Sequence, residues 1–146
     1  MNSILNLNIN TSELILFALL LPIIGALLIF LLSNYRNLRD LVTLSTSSIL
    51  FLLVLNIFNR LDAGEIPTLI LFELFSKLEI SFSVEPLGMV FGLLASGLWV
   101  INSIYSIGYM RANNETNQTR FYICFSLAIS SALGIAFSAN LLTFFL

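Results

Sequence analysis

Six Lys/Arg and eight Asp/Glu side chains are the charged groups with which this 146-residue chain could do acid–base, ion-pairing or metal chemistry. It has no histidine and one cysteine, Cys124. A His-based triad, an imidazole proton relay and a His-ligated metal are therefore excluded within the chain. One thiol closes no internal disulfide and builds no Cys cluster for zinc or iron–sulfur. In an apolar run such a Cys reads as a small buried hydrophobe. A net charge of −2 and few Lys/Arg leave no basic stripe for nucleic acid. No Gly-rich phosphate cradle of the Walker or dinucleotide type is present. The chain is expected to hold no cofactor and no metal, and it offers no catalytic centre. The polar residues that remain of interest are Glu85, Asn102, Tyr105, Arg111, Arg120 and Asn140.

The elements that must position these residues follow from where charge is missing. No charged residue lies between Glu13 and Arg36, between Asp40 and Arg60, between Glu85 and Arg111, or after Arg120. A helix needs about 20 apolar residues to cross about 30 Å of hydrocarbon at about 1.5 Å per residue. Each run meets that length. The spacing predicts an all-α polytopic membrane protein, a single membrane domain over residues 1–146. Its spans cover about residues 14–32, 41–58, 87–109 and 121–139, and a fifth helix starts at 141. Pro22 lies inside the first span, where neighbouring helices can satisfy the carbonyl it frees. Pro86 stands at the first turn of the third, where its missing N–H costs nothing. The second span, rich in Thr and Ser, reads as the least apolar. The apolar run from Leu141 to Leu146 stops short of a full span, so the chain reads as the N-terminal part of a longer protein.

Arg60 to Glu85 is the one long connection, with an outward hairpin expected over about residues 66–85. Glu79 to Glu85 alternates polar and apolar with the period of a half-buried strand, and Leu69 to Phe75 is an apolar run of strand length. A β-hairpin with Lys77 near its turn is the expected form; a half-inserted helix over residues 67–76 is the alternative. Loops 33–40 and 110–120 carry Arg36, Arg39, Arg111 and Arg120. The opposite side has only Arg60 and Lys77, over many more residues. By the positive-inside bias those two loops are cytoplasmic, in a cell (inner) membrane. The N-terminus and the hairpin are then outside.

Gly88, Gly92 and Ser96 recur every fourth residue on the third span. Ser126, Ser130, Gly134 and Ser138 do so on the fourth, with Ala128, Ala132 and Ala136 on a second stripe. Small residues at this spacing let backbones approach closely. The fourth helix is expected to touch protein on most sides, its Ser stripe packing tightly or lining a hydrated path. Asn102 either makes one interhelical hydrogen bond or belongs to a polar wall. No span contains an Asp, Glu, Lys or Arg, the usual markers of an ion or proton relay.

The segment Phe82-Ser83-Val84-Glu85-Pro86-Leu87-Gly88-Met89 and the run Ser103-Ile104-Tyr105-Ser106-Ile107-Gly108-Tyr109-Met110-Arg111 resemble the two ends of helix three in the antiporter-like membrane subunits. These are the Mrp-type cation/proton antiporter subunits and the proton-pumping subunits of NADH:quinone oxidoreductase. Arg120-Phe121-Tyr122 and Ser131 to Thr143 resemble the fourth helix and the start of the fifth. The wording is closest to the D-type member of the Mrp antiporter. The likeness is strong over roughly residues 66–146, and rests on pattern alone before that. Glu85 stands where the family commonly has Asp. The resemblance implies a longer subunit that moves protons, in exchange for Na+ or another cation or coupled to a redox arm, with lipid and other complex subunits as partners. It also implies that the essential carboxylate and its partner lysines lie beyond Leu146.

Three functions stay open. The chain is the N-terminal portion of a proton-translocating cation/proton antiporter-like subunit, of a proton-pumping quinone oxidoreductase subunit, or a small structural or assembly protein without transport of its own. Glu85 either gathers cations at an outer mouth or is a first-turn acid favoured by the helix dipole. Arg111 and Arg120 fix topology and contact headgroups. The topology is checked by Lys77→Cys: an impermeant thiol reagent should label it from outside the cell, and labelling from the cytoplasm alone would invert the orientation.

Overall fold

The computed structural model of the protein describes residues 11–64, 67–75 and 78–145. Its elements run α1 (Thr11–Leu31), α2 (Arg36–Asp62), β1 (Thr68–Phe75), β2 (Leu78–Ser83), α3 (Pro86–Ala112), α4 (Gln118–Ala136) and α5 (Leu141–Phe145). The first four helices are long and apolar enough to cross a membrane. The chain is a multi-pass helical membrane protein with a two-stranded hairpin between its second and third helices. Lys77 lies outside the described residues.

The four long helices close a ring: α1 packs on α2 and α4, and α3 packs on α2 and α4. Buried positions recur every three or four residues. On α3 they are Met89, Gly92, Ser96, Trp99, Ser103 and Ser106, and on α4 Gln118, Tyr122, Ser126, Ser130 and Leu133. That period places one stripe of each helix inward. Lipid tails are as apolar as leucine, so the stripes are held by close packing and hydrogen bonds rather than by expulsion of water. Small residues make the close packing possible. A Cβ on Gly88 would collide with the carbonyl oxygen of Ala136, and one on Gly92 would press on the Phe137 ring.

Hydroxyls satisfy carbonyls inside the bundle. Ser126 Oγ donates to Pro22 O at 2.6 Å, and Ser130 Oγ donates to Leu19 O at 2.8 Å. These bonds join α4 to α1 around the proline, where the backbone lacks a donor. Ser126 and Ser130 of α4 therefore pack against a neighbouring backbone, while Ser131 is exposed and donates to Leu127 O of its own helix. Thr43, Thr46 and Ser47 of α2 and Ser96 of α3 donate to carbonyls of their own helices.

Strands β1 and β2 pair antiparallel with Thr68 opposite Ser83 and Leu69 opposite Phe82, and the register shifts twice toward the turn. The hairpin, not the half-inserted helix, fills this connection. The chain after α4 adds to its edge: Ser83 N–H donates to Phe137 O at 2.8 Å, and Ala139 N–H donates to Ser81 O at 3.0 Å. Asn140 then caps α5, its Oδ1 accepting the Thr143 N–H at 2.8 Å. Ser81 N–H donates to Thr143 Oγ1 and Asn140 Nδ2 donates to Ser81 Oγ, so β2 and α5 share one polar joint.

Three sequence expectations are corrected. Helix α4 is the least enclosed of the four, with Phe121, Cys124, Leu127, Ala128 and Ile135 exposed; in a ring of four, only α1 and α3 flank it. Cys124 is accordingly exposed on the outer face, not buried. The least apolar membrane-length window belongs to α4 rather than α2, because α4 starts at Gln118 and its window takes in Thr119 and Arg120. Gly88→Ala should lower stability by about 1–3 kcal/mol, the usual cost of overpacking. Gly108→Ala, with open space around it, should not; unfolding in mixed micelles compares the two.

Candidate functional site

The helix ends away from the hairpin bring together residues from three elements. Helix α2 begins at Arg36, so Arg39 and Asp40 are helical and buried rather than part of a polar loop. The Asp40 carboxylate is held by two guanidinium groups. Arg39 Nε and Nη2 donate to its Oδ1 at 3.1 and 2.9 Å. Arg111, in the last turn of α3, donates from Nε to Oδ2 at 2.9 Å, and its Nη2 lies 2.7 Å from the same oxygen. The Arg39 and Asp40 side chains are only 6% and 5% exposed, and Arg111 is 43% exposed.

The first turn of α4 completes the cluster. Arg39 Nη2 donates to Gln118 Oε1 at 2.6 Å and its Nη1 donates to Thr119 Oγ1 at 3.0 Å. Gln118 Nε2 donates to Met110 O, and Arg111 Nη2 donates to Asn37 Oδ1. The Arg39 guanidinium lies over the Tyr122 ring, 5.2 Å from its centroid, a cation–π contact. One carboxylate thus joins the ends of α2 and α3, and through Arg39 the end of α4. A carboxylate engaged by two guanidinium groups is strongly fixed, while the triad keeps one positive charge in surplus. Tyr122 OH and Ser103 Oγ are buried without a hydrogen-bond partner among the described residues.

The sequence-predicted positions do not form one site. Arg111 belongs to the cluster. Arg120 is exposed in the first turn of α4. Asn102 is half-buried and accepts a 3.5 Å contact from Ser106 Oγ, at the limit for a hydrogen bond. Tyr105 is exposed and stacks on Tyr109 at 5.9 Å between centroids. Glu85 and Asn140 lie at the opposite end with the hairpin. Glu85 is the N-cap position of α3 but makes no side-chain cap bond. It borders a recess of about 310 Å³ that also meets Leu87, Phe91, Ile135 and Ser138. Among the packing positions, Gly92, Ser96, Ser126 and Ser130 face inward, while Gly88, Gly134 and Ser138 are half-buried.

The sequence marks Arg39 only as a loop charge and Tyr122 only as part of a motif, and it gives Asp40 and Gln118 no site role. The signal available was an acid directly beside an arginine, at the edge of an uncharged run. Among the described residues no group of three or more His, Cys, Asp or Glu is placed to hold a metal ion.

No family model matches the chain. It is 32% identical over 69 residues to the NAD(P)H-quinone oxidoreductase subunit 5, chloroplastic, of Anthoceros angustus. That match spans 47% of this chain and 9% of the relative, so the chain corresponds to a small part of that protein's length. The similarity supports a distant, partial relationship to that membrane subunit.

The cluster predicts an asymmetry between its members. Asp40→Asn removes the one carboxylate paired with buried Arg39 among the described residues. It should destabilise the protein by about 3–5 kcal/mol. Arg111→Gln leaves Asp40 paired with Arg39 and removes a partly exposed group, so its effect should be clearly smaller. Unfolding of both variants in mixed micelles measures the difference; equal losses would contradict the arrangement.

Proposed function

We propose that this chain is the N-terminal portion of a proton-translocating, antiporter-like membrane subunit. The observation that carries the proposal is the partial similarity to a quinone oxidoreductase subunit 5 in a chain with four membrane-length helices and a hairpin. The relative's name favours a subunit of a quinone oxidoreductase over an Mrp-type antiporter, the nearer likeness by motif wording. Protons are then the transported ion, with Na+ as exchanged cation only in the Mrp-type case. Other subunits of a multisubunit complex and membrane lipid are its partners. In this reading the arginine end faces the cytoplasm, and the hairpin faces outward, in a cell (inner) membrane.

The described helices contribute framework more than relay. Their hydroxyls are mostly committed to carbonyls, and their ionisable groups sit at the ends. The ring of α1 to α4 supports a translocating centre carried elsewhere in the subunit. The joint of Ser81, Asn140 and Thr143 fixes where the fifth helix starts.

The test uses the full-length subunit with its complex, reconstituted in vesicles containing a pH dye. Proton movement should accompany quinone reduction in the oxidoreductase case, or an imposed Na+ gradient in the antiporter case. Vesicles that show neither, with the complex intact, would leave the structural or assembly role as the better account.

A further inference from the structure

We propose that the arginine end of the bundle holds the phosphate of an anionic phospholipid, gripped by Arg36, Asn37 and the outer edge of Arg111. The first argument is charge. Arg36 and Arg39 both lie in the first turn of α2, where the helix dipole is positive and a cation is disfavoured. No acid stands in that turn, and Tyr35 at the N-cap makes no side-chain bond to the exposed N–H groups. Arg120 occupies the same unfavourable position on α4, again with no acid in the turn. Of these three arginines at helix starts, only Arg39 is paired with Asp40. With Arg111 sharing the same carboxylate, the triad retains one uncompensated positive charge beside Arg36.

The second argument is unspent donors in one place. Arg111 Nε and Nη2 are occupied by Asp40 and Asn37, while its Nη1 has no bond among the described residues and the side chain is 43% exposed. Arg36 has no hydrogen bond or ion pair among the described residues. The Arg111–Asn37 bond, 3.0 Å long, ties that free edge to the recess formed by residues 34–38. The bond uses Asn37 Oδ1, which leaves Asn37 Nδ2 as a further donor.

The third argument is the surroundings. Tyr35, Leu38 and Leu41 are exposed at the same helix start. A tyrosine beside leucines at the edge of a membrane span suits the boundary between headgroup and acyl chain. A phosphodiester there would accept from both guanidinium groups, answer the surplus charge and lay its chains along α2. Basic pockets between membrane helices take anionic headgroups in this way. A free inorganic anion would use the donors but not the apolar flank.

The full-length protein is compared in nanodiscs of phosphatidylcholine alone and with phosphatidylglycerol added, and by native mass spectrometry after delipidation. Phosphatidylglycerol should raise the melting temperature and remain bound. Arg36→Gln should weaken its retention by about tenfold, the scale of one lost charge-assisted contact. Because Arg36 supports no described contact, that variant should melt unchanged in phosphatidylcholine. Arg60→Gln, at the hairpin end, should retain the lipid. Equal behaviour in the two lipids, or retention unaffected by Arg36→Gln, would overturn the proposal. Inorganic phosphate reproducing the full stabilisation would overturn the lipid as the source and leave a small-anion site.

Discussion

The Asp40 carboxylate is the point from which the rest of the bundle takes its register. It accepts from Arg39 on its own helix and from Arg111 at the far end of α3, while Arg39 reaches on to Gln118 and Thr119 of α4. Arg39 and Asp40 are buried from solvent, so water does not replace their bonds. A carboxylate or guanidinium left alone near hydrocarbon is strongly disfavoured. Three helix ends are therefore held in one rotation each. Ser103 and Ser106 of α3 and Ser126 of α4 face the interior in the same rotation.

The same constraint, that polar groups be satisfied inside the protein, governs the middle of the bundle in a quieter form. Pro22 removes a backbone donor from α1, and serines from α4 donate to carbonyls of that stretch. Glycines on α3 permit the approach to the end of α4. Hydroxyls that could have lined a water path are thus mostly occupied by backbone. At the hairpin end, backbone pairing takes over: residues 137–139 bond to the edge of β2, and Asn140 caps the fifth helix against it. The two ends differ in kind. One is an ionic clamp with surplus positive charge; the other is a backbone joint with Glu85 at its margin.

That division fits the framework role proposed for these helices. Charges stay at the ends of the spans, where solvent and headgroups can reach them, and the interior is closed by neutral groups. The partial similarity to a quinone oxidoreductase subunit concerns less than half of this chain. The fold beside it supplies what a sequence likeness of that size lacks: a ring of four membrane-length helices with the hairpin built into its edge.

Much of the architecture was legible in the sequence, because hydrocarbon imposes length and apolarity on each span locally. The gaps between Glu13 and Arg36 and between Glu85 and Arg111 announce helices without reference to any neighbour. The alternation from Glu79 to Glu85 announces a strand in the same way. The inward faces of α3 and α4 were visible in part, as Gly92, Ser96, Ser126 and Ser130. What the sequence left undecided is every contact between distant residues. Asp40 and Arg111 are 71 positions apart, and Arg39 and Gln118 are 79. Whether they meet depends on the rotation of each helix about its axis, which local periodicity does not set for charged residues at a span's edge. The exposure of Cys124 and of most of α4 was undecided for the same reason. A small-residue stripe says that a helix packs closely somewhere, and only the closed ring decides how many of its sides are covered.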